Sequence, residues 1–123
     1  MRFFNILLLT STLTYSQINP KNIDIVRDQY GIPHIFAKTD AELAYGLAWA
    51  NAEDDFNTIQ EAYLAGNAML SRHIGLKGAP ADFITQFIGS KELIDEKIGE
   101  ISNDYLKVIS AYAQGLNSYA EKN

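Results

Sequence analysis

The chain has 123 residues, with 10 lysines and arginines, 15 aspartates and glutamates, and no cysteine. A formal net charge of −5, with no cluster of basic and aromatic residues, argues against a nucleic-acid partner. The lack of cysteine excludes a disulfide framework, so the fold must depend on its hydrophobic core, and the length allows one domain at most.

Residues 1–16 are predicted to be a signal peptide. Arg2 gives a basic start, an apolar core follows, and cleavage is expected after Ser16. Loss of Arg2 would change the formal charge from −5 to −6. The alternative is a hydrophobic first strand or helix. Because the segment is too short to span a membrane, we expect residues 17–123 to be released to the periplasm or outside the cell.

The next segment predicts two short strands joined by a tight turn. Ile23, Ile25 and Arg27 alternate with Asp24, Val26 and Asp28, and His34 to Ala37 is short and rich in strand-forming residues. Between these runs, Gly31 can take a positive φ, and Pro33 holds φ at about −65°. This pattern predicts a β-hairpin.

A long helix is predicted to follow the hairpin. Thr39 and Glu42 form a capping box at its start. Gly46 costs a helix about 1 kcal/mol relative to alanine, which indicates a close approach by another backbone. Gly66 and Gly75 are predicted to mark a kink and a C-terminus. An apolar stripe at helical spacing contains Tyr45, Trp49, Ala52, Phe56, Ile59 and Tyr63, widened by Leu43, Leu47 and Ala50.

The rest of the chain predicts a loop and further helices. Residues 76–80 are interpreted as a loop, residues 82–88 as a short helix, and Ser90 as the N-cap of another helix. The last helix begins near Asn103 or Asp104, and its stripe contains Tyr105, Ile109, Tyr112, Leu116 and Tyr119. An isolated two-stranded hairpin is only marginally stable, so these few elements are expected to leave apolar surface exposed.

The charged and imidazole side chains predict no metal or catalytic site. Glu53, Asp54 and Asp55 are consecutive, and side chains about 100° apart on a helix cannot converge on one ion. His34 is interpreted as making a structural hydrogen bond, and His73 lies near a helix end, where the dipole favours a cation. Two histidines without cysteine argue against zinc.

Several stretches of the chain form an ordered series of motifs. They are Arg-Asp-Gln-Tyr-Gly-Ile-Pro-His-Ile at 27–35, Ala-Tyr-Gly-Leu-Ala-Trp-Ala-Asn-Ala-Glu-Asp at 44–54, Ala-Gly at 65–66 with Ile-Gly at 74–75, and Ala-Tyr-Ala-Gln-Gly-Leu-Asn-Ser-Tyr at 111–119. Together they resemble the start of the penicillin acylase (penicillin amidase) family of N-terminal-nucleophile (Ntn) hydrolases. The resemblance implies an α+β fold, with an N-terminal β-hairpin followed by three or four helices, as an incomplete piece of an αββα sandwich.

The resemblance also implies where the chemistry resides. Family precursors are several hundred residues long and cut themselves into an α chain and a β chain. The nucleophile is the first residue of the β chain, usually serine, and its own α-amino group, which titrates at about pH 8, is the base. Ser90 follows a glycine as such a serine often does, but the residues after it have helical spacing. Residues 17–123 are therefore interpreted as an N-terminal fragment of the α chain, with no catalytic residue and no activity of its own.

Further expectations follow from the same resemblance. Asp54 matches a family aspartate and is expected to make a buried hydrogen bond or ion pair that holds the helix against the hairpin. Asp55 stands where many members have arginine, so no ion pair is expected there. The aromatic stripe is interpreted as core, with an acyl pocket as the alternative. The family often binds calcium, mostly outside this region, so no cofactor is predicted here.

The expected partners are the remainder of the α chain, the β chain and, in the complete enzyme only, an acylated small molecule. The complete enzyme is expected to hydrolyse linear amides, with a phenylacetyl, fatty or glutaryl acyl group left open. A second hypothesis is a small exported binding protein derived from an acylase, without catalysis.

Overall fold

The computed structural model describes residues 17–123, so the predicted signal peptide lies outside the described residues. A two-stranded antiparallel hairpin comes first and helices follow, which confirms the predicted α+β class. Four longer helices match the predicted number, and a four-residue helix, α2, is added to them. The elements are β1 (Asp24–Arg27), β2 (Pro33–Phe36), α1 (Asp40–Gly66), α2 (Ser71–Ile74), α3 (Ala79–Ile88), α4 (Ser90–Lys97) and α5 (Asn103–Lys122).

The hairpin lies with one face on α1 and the other in solvent. Ile25 pairs with Ile35 on the inner face, and Gly31 in the turn has a φ of 81°, as predicted. A Cβ atom at Gly46 of α1 would lie 2.7 Å from Ile35 Cγ2 and 2.9 Å from Ile23 Cγ2. The predicted close approach at Gly46 is therefore made by isoleucine methyl groups of the hairpin, and the prediction of a neighbouring backbone is wrong.

The core lies where α1 and α5 approach each other closely. Ala44 and Ala48 of α1 face Ala111 and Gly115 of α5, and all four are buried. A Cβ atom at Gly115 would collide with the carbonyl oxygen of Tyr45 and lie 2.8 Å from the Cβ atom of Ala48. The small side chains therefore set the spacing of the two helices, and a larger side chain at these positions would force them apart.

The predicted aromatic stripes pack only in part. Tyr119 of α5 contacts two aromatic rings of α1, Trp49 and Phe56, each at a centroid distance of 5.4 Å. Leu43 and Leu47, which were predicted to widen the stripe, are 44% and 43% exposed, so that part of the prediction is wrong. The close contact with α5 is made instead by the alanines of α1. The outer members Tyr63, Tyr105 and Ile109 are also exposed.

The long helix α1 has a kink at Asp55. This residue has an extended backbone (φ −159°, ψ 77°), and its carboxylate accepts hydrogen bonds from Thr58 N at 3.1 Å and Thr58 Oγ1 at 2.6 Å. Asp55 thereby caps the second half of the helix. The predicted kink at Gly66 is wrong, since Gly66 ends the helix; Gly75, with a φ of 70°, ends α2.

The segment predicted as a loop at residues 76–80 is helical. A 3-10 turn at Gly75–Gly78 leads directly into α3, which carries Pro80 in its first turn. Proline is favoured there because the first turn has no intrahelical partner for its missing N–H. A Cβ atom at Gly78 would lie 2.6 Å from Ser71 N, so this turn packs tightly against the start of α2.

The boundary between α3 and α4 differs from the prediction. Gly89 is left-handed, with a φ of 69°, and Ser90 is the first residue of α4 with no capping hydrogen bond from its side chain. The N-cap assignment of Ser90 is therefore wrong, because the glycine reverses the chain by itself. Ser102 caps α5, which begins at Asn103 as predicted. Within residues 17–123, no helix has both the length and the apolar character needed to cross a membrane.

Candidate functional site

The motif residues of the hairpin and α1 meet around Arg27. This side chain extends from β1 toward α1, where its Nη2 atom lies 2.8 Å from Asp54 Oδ1 and 3.3 Å from Glu53 Oε2. The same atom donates to the carbonyl oxygen of Ala50 at 3.3 Å, and Nη1 donates to that of Gly31 at 2.7 Å. One guanidinium therefore joins the strand, the turn and the long helix, which a lysine ammonium could not do with its single nitrogen.

The ion pairs of Arg27 are partly open to solvent. The Arg27 side chain is 31% exposed and that of Asp54 57% exposed. The prediction that Asp54 pairs to hold the helix against the hairpin is confirmed, whereas its predicted burial is wrong, because α1 turns this position outward. The hydrogen bond to Glu53 and the pairing with Asp54 raise the pKa of Arg27. Glu53 in turn accepts a hydrogen bond from Trp49 Nε1 at 2.8 Å.

Replacing Arg27 with lysine is expected to loosen the hairpin selectively. The variant keeps the charge but loses the forked geometry that reaches two carbonyls and two carboxylates. We expect amide hydrogen exchange in β1 and β2 to accelerate about tenfold, with little change in α5. Arg72→Lys is the matched control, since Arg72 is exposed on α2. Equal exchange rates in the two variants would contradict the assigned role of Arg27.

The turn of the hairpin is organised by Asp28. Its carboxylate accepts hydrogen bonds from Tyr30 N at 2.9 Å and Ile32 N at 3.0 Å, and it lies 3.4 Å from His34 Nε2. Desolvation acts to raise the pKa of Asp28, but these hydrogen bonds outweigh it and the pKa is lowered. The predicted structural hydrogen bond of His34 is confirmed. Both motif residues therefore hold the turn in place.

The other candidate residues are not brought together. Glu53 and Asp54 face Arg27, while Asp55 faces Thr58. His73 lies in the last turn of α2, near a helix end as predicted. Within residues 17–123, no group of three or more histidine, aspartate or glutamate side chains is arranged to hold a metal ion.

Sequence reasoning missed two residues that the tertiary structure makes important. Asp82, only 7% exposed, accepts hydrogen bonds from Leu70 N at 2.7 Å and Ser71 N at 2.8 Å. Nothing in the sequence links it to a helix start twelve residues earlier. Gly115 could have been found from the sequence. A glycine inside a helix lowers the stability of the helix relative to alanine, so Gly115, like Gly46, indicates a close approach by another part of the chain.

The solved structures show the class to which this arrangement belongs. The thermostable penicillin G acylase from Alcaligenes faecalis, in its tetragonal form, aligns with a TM-score of 0.74 and 26% sequence identity. The alignment covers 81% of this chain and 53% of that one. The fold is therefore that of a part of an Ntn hydrolase.

The family can also be stated. The model of the penicillin amidase family matches residues 22–123. This chain belongs to the penicillin amidase family.

Curated relatives agree with this assignment. Penicillin G acylase from Escherichia coli is 27% identical over 81% of this chain, and aculeacin-A acylase from Actinoplanes utahensis is 34% identical over 62% of it. The acyl-homoserine lactone acylase PvdQ from Pseudomonas putida is 27% identical over 72% of the chain. The matched regions span only 12%, 10% and 13% of these three relatives, respectively.

Proposed function

We propose that this chain is the N-terminal part of the α chain of an exported acylase, which hydrolyses linear amides of acylated small molecules. The observation that carries the proposal is the alignment with penicillin G acylase over 81% of the chain. The penicillin amidase family model matches residues 22–123, which include the hairpin and α1, whose motif residues make the contacts of Arg27. Export is supported by the basic and apolar pattern of residues 1–16.

The role proposed for these residues is structural. Three polar residues of the first motif make contacts within the fold. Arg27 bonds to Gly31 in the turn and to Asp54 of α1, and Asp28 contacts His34 across the hairpin. We assign the nucleophile, a serine released by self-cleavage with its own α-amino group as base, to sequence outside this chain. The arrangement here supplies a rigid support for that site.

Exposed apolar side chains support the proposal that this chain binds other parts of the same precursor. Val26 and Phe36 on the outer face of the hairpin are 55% and 60% exposed, and Phe83 and Phe87 of α3 are 67% and 81% exposed. Side chains of this size, clustered on two faces, are typical of an interface. The remainder of the α chain and the β chain are the proposed partners, in the periplasm or outside the cell.

The isolated 123-residue chain is expected to be catalytically inactive. Purified chain incubated with phenylacetyl- or octanoyl-4-nitroanilide is expected to release no nitroaniline above the rate of buffer alone, because no N-terminal nucleophile has been formed. A Ser90→Ala variant serves as the control for adventitious hydrolysis. Turnover that is present in the chain and absent in Ser90→Ala would contradict the proposal.

The association state of the same sample tests the partner assignment. Exposed faces that require further sequence predict self-association that increases with protein concentration in sedimentation measurements. A chain that stays monomeric at every concentration would instead support a small exported binding protein without catalysis.

A further inference from the structure

An open cavity lies where the hairpin, α1 and the end of α5 meet. It has a volume of about 390 Å³. This is near the lower end of the range for small-molecule sites, and at about 30 Å³ per water-sized atom it holds about 13 non-hydrogen atoms. Its walls include Ile25 of β1 and Ile23 just before that strand, Tyr45 and Trp49 of α1, and Ser118 and Lys122 of α5.

The chemistry of the walls is strongly asymmetric. Isoleucine and aromatic side chains make up most of the lining, whereas Lys122 is the single charged residue among those that line the cavity. Its Nζ atom lies 5.1 Å from the centroid of the Trp49 ring. Ser118 adds a hydroxyl group on the same helix, one turn before Lys122. The cavity therefore combines apolar side chains with one cationic donor, Lys122, and with the hydroxyl-bearing residues Ser118 and Tyr45.

The cation at the rim differs from the other lysines of the helices. Lys91, Lys97 and Lys107 each lie within 3.0 Å of a carboxylate oxygen on their own helix or the adjoining turn. Among the residues that the structure describes, Lys122 has no such salt bridge and contacts an aromatic face instead. A cation over an aromatic ring beside an apolar cavity is complementary to an anion attached to an apolar chain.

We propose that this cavity binds a free medium-chain monocarboxylate, with its alkyl chain against Ile23, Ile25 and Trp49 and its carboxylate at Lys122. Octanoate has ten non-hydrogen atoms, which fits the volume. A phosphate ester is disfavoured, because the walls provide only one cation. The inference is independent of the proposed hydrolase function, since it uses only residues of this chain.

Trp49 provides the measurement, because it is the chain's only tryptophan. Titrating the full chain with octanoate is expected to change Trp49 fluorescence in a saturable way. Octan-1-ol and octylamine, which share the alkyl chain but lack the carboxylate, are expected to bind about tenfold more weakly or not at all. Equal binding of the alcohol or the amine, or no saturable change with octanoate, would overturn the proposal.

A matched pair of variants assigns the effect to one cation. Lys122→Met is expected to weaken octanoate binding about tenfold while leaving the weak binding of octan-1-ol unchanged. Lys107→Met, which removes an exposed lysine from another part of α5, is expected to bind octanoate as the original chain does. Far-ultraviolet circular dichroism checks that both variants keep their helices. Octanoate binding that is equally tight in the two variants would overturn the assignment to Lys122.

Discussion

Replacing Gly115 with alanine is expected to destabilise the chain by about 1–3 kcal/mol, although alanine is the better helix former. The added methyl group would collide with the carbonyl oxygen of Tyr45 and press on the Cβ atom of Ala48. A backbone carbonyl cannot move aside as a flexible side chain can, so α1 and α5 must separate. The free energy of unfolding from urea denaturation measures the effect.

Gly66→Ala is the control for this substitution. Gly66 also lies in a helix, but nothing is within 4 Å of the Cβ atom it would acquire. Its variant is expected to be unchanged or to gain up to about 1 kcal/mol from helix propensity. If Gly115→Ala were as stable as Gly66→Ala, close packing at Gly115 would not determine the spacing of the two helices.

Replacing Asp82 with alanine is expected to lower Tm by about 10 °C. The carboxylate is buried and accepts hydrogen bonds from the N–H groups of Ser71, the first residue of α2, and of Leu70, the residue before it. Its removal leaves both donors without a partner and uncouples α2 from α3. Thermal unfolding followed by circular dichroism gives the shift, and Asp95→Ala, which removes an exposed carboxylate from α4, is expected to shift Tm by less than about 2 °C.

The contribution of Asp82 also depends on pH. A hydrogen bond from the Ser71 side chain, together with the backbone N–H groups of Ser71 and Leu70 and the charge of Arg72, outweighs desolvation and lowers the pKa of Asp82 from 3.8. Because the pKa is lower in the folded state, the stabilisation is complete above pH 3.8 and is lost as the pH falls through the folded-state pKa. The Tm difference between the chain and Asp82→Ala is therefore expected to narrow on acidification. A difference that stays constant would show that the carboxylate charge contributes nothing.

The elements that could be predicted are those determined by a few residues that are neighbours in the sequence. Gly31 and Pro33 determine the hairpin through their own backbone preferences, and Thr39 and Ser102 lie at helix starts that they cap themselves. The pairing of Asp54 with the hairpin was predicted only from the family resemblance, because its partner Arg27 is distant along the chain.

The elements that could not be predicted depend on contacts between distant residues. Ser90 had the composition of a cap, but the left-handed Gly89 made the turn without it. Leu43 and Leu47 of the predicted stripe lie at the surface, whereas Ala48 of α1 lies beside Gly115 of α5. The apolar stripe was predicted from the hydrophobicity of single residues. The distance between two helices depends instead on the size of the side chains at their contact, which hydrophobicity does not give.

The sequence by itself determined the family, the hairpin and the positions of the main helices, because periodicity and turn preferences act within one or two helical turns. Only the tertiary structure decided that Asp82 caps α2, that Arg27 joins strand, turn and helix, and that Trp49 and Lys122 share a cavity. These contacts join residues from 11 to 73 positions apart, and no local preference specifies which distant atoms will satisfy a buried donor or charge.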